Sequence, residues 1–95
     1  MSPIFSATNA GFFLRFRNGW AISVKWNSNG GIQLCSEQNS DGEYVAAEVA
    51  VINAEGEMIQ ISRHDTVLGW QSTDEVANLI RRASMGAAGG WNLPD

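Results

Sequence analysis

Ninety-five residues with a mass of 10.3 kDa, 44% of them hydrophobic, make one domain's worth of chain and exclude both a disordered polypeptide and a large enzyme with a deep two-lobed cleft. One cysteine and one histidine exclude an internal disulfide, a Cys-rich zinc site and repeated metal-ligand spacing, so no cofactor is expected. The net charge is −4; no apolar run nears the roughly 18 residues of a membrane span and the first residues lack the basic and apolar regions of a secretory leader, so a cytoplasmic protein with no membrane partner is expected. A single domain over residues 1–95 is expected, with 1–10 and 87–95 as loosely packed ends.

Phe12 to Trp26 reads as two strands about Arg17-Asn18-Gly19, with Phe12, Leu14 and Phe16 alternating on the first and Trp20, Ile22, Val24 and Trp26 on the second. A two-residue Asn18-Gly19 loop would set Arg17 against Trp20 and Arg15 against Ile22, placing charge beside apolar side chains. A three-residue loop, a type I turn closed by a left-handed glycine, instead pairs Phe16 with Trp20, Leu14 with Ile22 and Phe12 with Val24, and the hydrophobic pattern selects it. The opposite face then carries Phe13, Arg15, Ala21, Ser23 and Lys25. Ser28-Asn29-Gly30-Gly31 breaks the second strand, and Ile32-Gln33-Leu34 fits a short edge strand or a packed loop equally well.

Alternation resumes from Tyr44 to Ile52, with Val45, Ala47, Val49 and Val51 inward, and again over 57–62 with Ile59 and Ile61 inward. The loop Ala54-Glu55-Gly56 repeats the glycine-closed device and pairs Val51 with Ile59 and Val49 with Ile61. Ser72-Thr73-Asp74-Glu75 has the spacing of a capping box, so a helix begins at Thr73. Val76, Leu79, Ile80 and Ala83 fall on one stripe, acids open the helix, Arg81 and Arg82 stand near its end, and Gly86 closes it. The fold expected is α+β, an antiparallel sheet of four to five strands made from two hairpins and covered by one C-terminal helix.

Charge is unevenly spread along the chain. Residues 1–36 carry Arg15, Arg17 and Lys25 and no acid, whereas residues 37–75 carry nine acids against Arg63 alone, a net of −8. That block argues against a direct nucleic-acid partner, which needs clustered Lys and Arg, and suits either a basic partner or plain solubility. His64 beside Asp65 has the elements of a general base, but strand neighbours point to opposite faces, so adjacency does not join them. Cys35 has no basic neighbour to stabilise a thiolate, Glu55 and Glu57 lack the spacing of a calcium loop, and neither glycine cluster precedes a helix as a phosphate loop must. No enzymatic activity is expected. Four tryptophans stand out in so short a chain: Trp20 and Trp26 read as core by register, Trp70 as a plug between sheet and helix or a contact residue, and Trp91 either as a pin for the glycine-rich tail or as an anchor for another chain.

The stretch Phe16-Arg17-Asn18-Gly19-Trp20-Ala21-Ile22-Ser23-Val24, followed by Ala47-Glu48-Val49-Ala50-Val51 with Gly56 and by Gly69-Trp70-Gln71-Ser72 running into Asp74-Glu75-Val76, resembles a widespread group of small phage-encoded proteins of unassigned activity, over residues 12–83. The resemblance implies a viral gene product acting in the cytoplasm of the infected host. By analogy with anti-CRISPR proteins it suggests a stoichiometric inhibitor of host antiviral defence. On that reading Glu48, Glu55, Glu57 and Asp65 meet a basic surface of a host defence protein, with Trp70 or Trp91 as the aromatic anchor. The alternative is a homo-oligomer that sequesters a nucleotide immune signal, with Arg15, Arg17, Lys25 and Arg63 on its phosphates; a minor virion or assembly component is a third reading.

Overall fold

The computed structural model describes residues 3–8, 10–26, 37–61 and 65–91. The fold is α+β. Five strands form one antiparallel sheet in the order β1 (Ile4–Thr8), β2 (Gly11–Arg15), β3 (Ala21–Lys25), β5 (Tyr44–Ile52) and β6 (Val67–Gln71), while the two-residue β4 (Glu37–Gln38) adds a short ladder to the first residues of β5. The helix α1 (Thr73–Ser84) follows, then a single 3-10 turn at Gly86–Ala88. The expected segment 32–34 lies outside the described residues.

The hairpin of β2 and β3 has the register that its hydrophobic pattern requires: Leu14 pairs with Ile22 and Phe12 with Val24. The Phe16 amide donates to the Trp20 carbonyl at 2.8 Å, and Gly19 closes the turn at φ 88°, a conformation that a side chain at that position would resist. Gly56 closes the second turn in the same way at φ 83°. There the expected hairpin is cut short. Met58 bridges Ile52, and the Ile59 amide donates to the Val51 carbonyl at 2.9 Å, but Val49 pairs with Leu68 of β6 rather than with Ile61. The chain leaves β5 after Ile59, closes on itself where the Ile61 amide reaches the Asp65 carbonyl at 3.2 Å, and returns as β6 in the place that residues 61 and 62 were expected to take. Ile61 stays buried in the core although it has left the ladder.

The N-terminal segment also departs from its expected loose end, because Ile4–Thr8 form β1 in an unbroken five-pair register with β2. Ser72 caps α1 with both halves of the box in place: its hydroxyl accepts from the Glu75 amide at 3.2 Å, and the Glu75 carboxylate accepts from the Ser72 amide at 3.0 Å. Leu79 and Ala83 on α1 pack against Ile22, Val24, Val49 and Val51, the most deeply buried side chains of the sheet. At about 1.5–3 kcal/mol for each buried aliphatic side chain, this layer is the main source of cohesion. The helix packs over β3, β5 and β6, while β1, separated from β3 by β2, lies outside its main footprint.

Candidate protein-interaction face

Between Ala47 and Val49 the ladder from β5 to β6 slips: Ala47 pairs with Gln71 and Val49 with Leu68. One residue of β5, Glu48, therefore opposes two of β6, Gly69 and Trp70, which is a β-bulge; among the described residues β6 pairs with β5 alone. Trp70 absorbs the extra residue in left-handed backbone, at φ 59°, a region that costs a bulky side chain about 1–2 kcal/mol. Its side chain is 58% exposed, so the strain is not offset by burial in the core. Of the two expectations for Trp70, a plug between sheet and helix is set aside by this exposure. On its other flank Glu48 opposes Lys25 of β3, so Lys25, Glu48 and the bulge form one row across the sheet.

The remaining predicted contact residues separate. Glu55 and Glu57 sit exposed on the turn after β5, at the end of the sheet where Ile52 pairs with Ala21. Glu57 has a local task, since its carboxylate accepts from Asn53 Nδ2 at 3.4 Å, while Asn53 Oδ1 accepts from the Glu55 and Glu57 amides at 3.1 and 2.9 Å. Asn39-Ser40-Asp41-Gly42-Glu43 repeats this turn at the other end of β5, with Asn39 Oδ1 accepting from the Asp41 and Glu43 amides at 3.0 and 2.9 Å. The two turns share the sequence pattern Asn-x-acid-Gly-Glu, at 39–43 and 53–57. A nine-residue strand is about 30 Å long, so the acidic block divides into separate ends instead of one patch. Asp65 is exposed just before β6, and Asp74 and Glu75 are exposed in the first turn of α1 just after it. The Ser72 backbone amide first, and the Ser72 hydroxyl second, favour the charged form of the Glu75 carboxyl and hold it below its ordinary value of 4.5.

Trp91 is engaged within the chain. Its indole stacks on Trp20 with centroids 5.9 Å apart and planes 12° from parallel, the Arg82 guanidinium lies 4.3 Å from its ring centroid, and Nε1–H donates to the Gly86 carbonyl at 2.8 Å. Arg82 also donates to the carbonyls of Gly89 and Gly90 at 2.8 and 2.7 Å. Asn18, at the first hairpin turn, donates to the Ser84 carbonyl at 3.1 Å. Trp91 therefore clamps residues 86–91 to the hairpin turn, and of its two expected uses the structure shows the internal pin.

The basic set is also dispersed. Arg15 opposes Ala21 and Lys25 opposes Gly11, at opposite ends of the β2–β3 ladder, and Arg17 is exposed on the turn. Arg63, His64 and Cys35 lie outside the described residues. Among the described residues no three His, Cys, Asp or Glu side chains gather as metal ligands, and no helix is long and apolar enough to cross a membrane. An apolar groove of about 360 Å³ runs between the ends of β3 and β5 and the start of α1, walled by Phe12, Trp26, Tyr44, Val45 and Val76. Ala46 lines it too. Comparison with protein families, with curated proteins and with solved structures found no match.

Proposed function

We propose that this chain is a stoichiometric inhibitor, a binding module without turnover that docks its β6 edge on a basic protein surface. In the setting implied by the sequence resemblance, that surface belongs to a host antiviral defence effector. The observation that carries the reading is Trp70: an indole more than half exposed, held in strained backbone at a bulge opposite Glu48. Strain of this kind persists where the surrounding structure imposes it and clusters at functional sites, and exposed tryptophans are the side chains that most often dominate protein interfaces. Asp65 before the strand and Asp74 after it give the edge the charge to attract a basic partner and speed encounter.

The test is affinity capture from bacterial lysate at low and high salt, with the wild-type chain beside Trp70→Gly and Glu48→Lys. Glycine suits the backbone at position 70, so the first variant removes the indole without unfolding the sheet. A basic protein captured by the wild type at low salt, and lost with both variants, is the expected result. Equal capture by wild type and Trp70→Gly overturns the reading.

A further inference from the structure

The opposite edge of the sheet has different chemistry. The Phe16 amide bonds to Trp20 and the Trp26 amide to the Ala10 carbonyl, so by the alternation of an antiparallel ladder Phe12 and Leu14 turn their backbone groups toward β3, while Gly11, Phe13 and Arg15 turn theirs toward β1. Their partners there are Thr8, Ser6 and Ile4. The N–H and C=O groups of Phe5 and Ala7 consequently point away from the sheet, and among the described residues no strand pairs with that side of β1. The strand has none of the devices that guard an edge, since it holds no charge, no proline and no bulge. The β6 edge, by contrast, is interrupted by its bulge and flanked by acids. Phe5 is 89% exposed.

We propose that β1 pairs antiparallel with β1 of a second copy of this chain, about a two-fold axis through Ser6. In that register Phe5 of one copy opposes Ala7 of the other, and each of the two such pairs exchanges two N–H···O bonds through the groups that point outward. The two Phe5 rings become diagonal neighbours, about 7–8 Å apart and within aromatic reach. They lie on the helix side of the sheet beside Leu14, the cross-strand partner of Phe5, in the part of that face outside the main footprint of α1. Charge favours this edge for a chain of net −4: residues 1–14 are uncharged and every acid lies at position 37 or beyond, so the copies meet with their carboxylates on the far sides. Arg15 opposes Ile4, and since Ile4 meets Thr8 of the other copy, the two Arg15 side chains stand at opposite ends of the paired strands. An aromatic ring buries about 150–250 Å², and five-residue strands add little more. The contact stays below the roughly 1,200 Å² of a stable interface, which makes the dimer weak and concentration-dependent. The proposal is independent of the Trp70 reading, which concerns the other edge.

Sedimentation velocity from micromolar to millimolar protein tests it. Ala7→Pro removes an outward N–H without touching a bond to β2, and Phe5→Lys places a charge at the centre of the proposed contact. The wild-type mass is expected to rise from one chain toward two, and both variants to remain at one chain with thermal midpoints close to wild type. If Ala7→Pro fails to fold, Phe5→Lys alone decides. A wild type that stays monomeric at millimolar concentration overturns the proposal, as does a Phe5→Lys variant that dimerises like wild type; an extended segment of some other partner as the true occupant of this edge gives the first of these results.

Discussion

Position 70 separates backbone cost from side-chain use. At φ 59° glycine has no Cβ to clash, so Trp70→Gly is expected to be more stable than Trp70→Ala by about 1 kcal/mol in denaturant titration. Equal stability of the two variants would show that the bulge relaxes once the indole is gone. Ser72 carries a different kind of residue-scale energy, the reciprocal cap of α1, and Ser72→Ala is expected to cost about 1 kcal/mol. The cap also titrates. Because the Glu75 carboxyl is held below its ordinary 4.5 in the folded chain, its contribution is complete above that value and fades as pH falls through the lower folded value. Glu75→Gln keeps an acceptor in place without a proton equilibrium, so it should flatten part of the acid side of a stability-versus-pH curve. An unchanged acid limb in the variant would remove Glu75 from the account.

Elements hold together through two unlike contacts, the aliphatic layer under α1 and the aromatic clamp at its end. Leu79, 3% exposed, reaches the fully buried side chains of β3 and β5, and Leu79→Ala is expected to cost about 2–5 kcal/mol; a loss under about 0.5 kcal/mol would show a helix that does not share the core. The clamp is smaller. Trp91→Ala removes one aromatic stack and one cation–π contact, worth about 1–2 kcal/mol together, and should free residues 86–91 to exchange their amides faster while β3 and β5 stay protected. Gly86 belongs to the same contact: a Cβ there would come within 2.9 Å of Asn18 Nδ2 and 3.3 Å of the Trp20 indole. These elements also show what was legible in sequence. The first hairpin and the helix were, because each is specified by local chemistry that agrees with its hydrophobic period. β1 and β6 were not, since Ser6, Ala7 and Thr8 make a weak alternation and Gly69 with Trp70 breaks one.

Across the whole molecule, charge runs from a neutral edge at β1, through the bases of the first hairpin, to acids on β5, on the turns, just before β6 and in the first turn of α1. Such a gradient acts on encounter more than on stability. Once a basic partner is in hand, Glu48→Lys with Asp65→Lys is expected to slow its association at low salt, and the difference should shrink as the screening length falls below about 10 Å above 0.1 M. Glu55→Lys, at the far turn, should slow it less. A rate unchanged by the first pair would detach binding from the β6 edge and move attention to the turns.

Sequence alone determined the register of the β2–β3 hairpin, the Ser72 cap and the inward stripe of α1, because turn chemistry, capping and periodicity act over a few residues and need no distant partner. It also placed the acidic block, but not as a surface. Only the tertiary structure decided that Val49 pairs with Leu68 instead of Ile61, since that choice depends on a return of the chain from 59 to 67 that no local rule encodes. The same return sets two residues of β6 against Glu48, and the resulting bulge turns Trp70 out to solvent. Trp91, open in the sequence between pinning the tail and anchoring another chain, is bound internally because the end of α1 brings Arg82 and Gly86 beside Trp20.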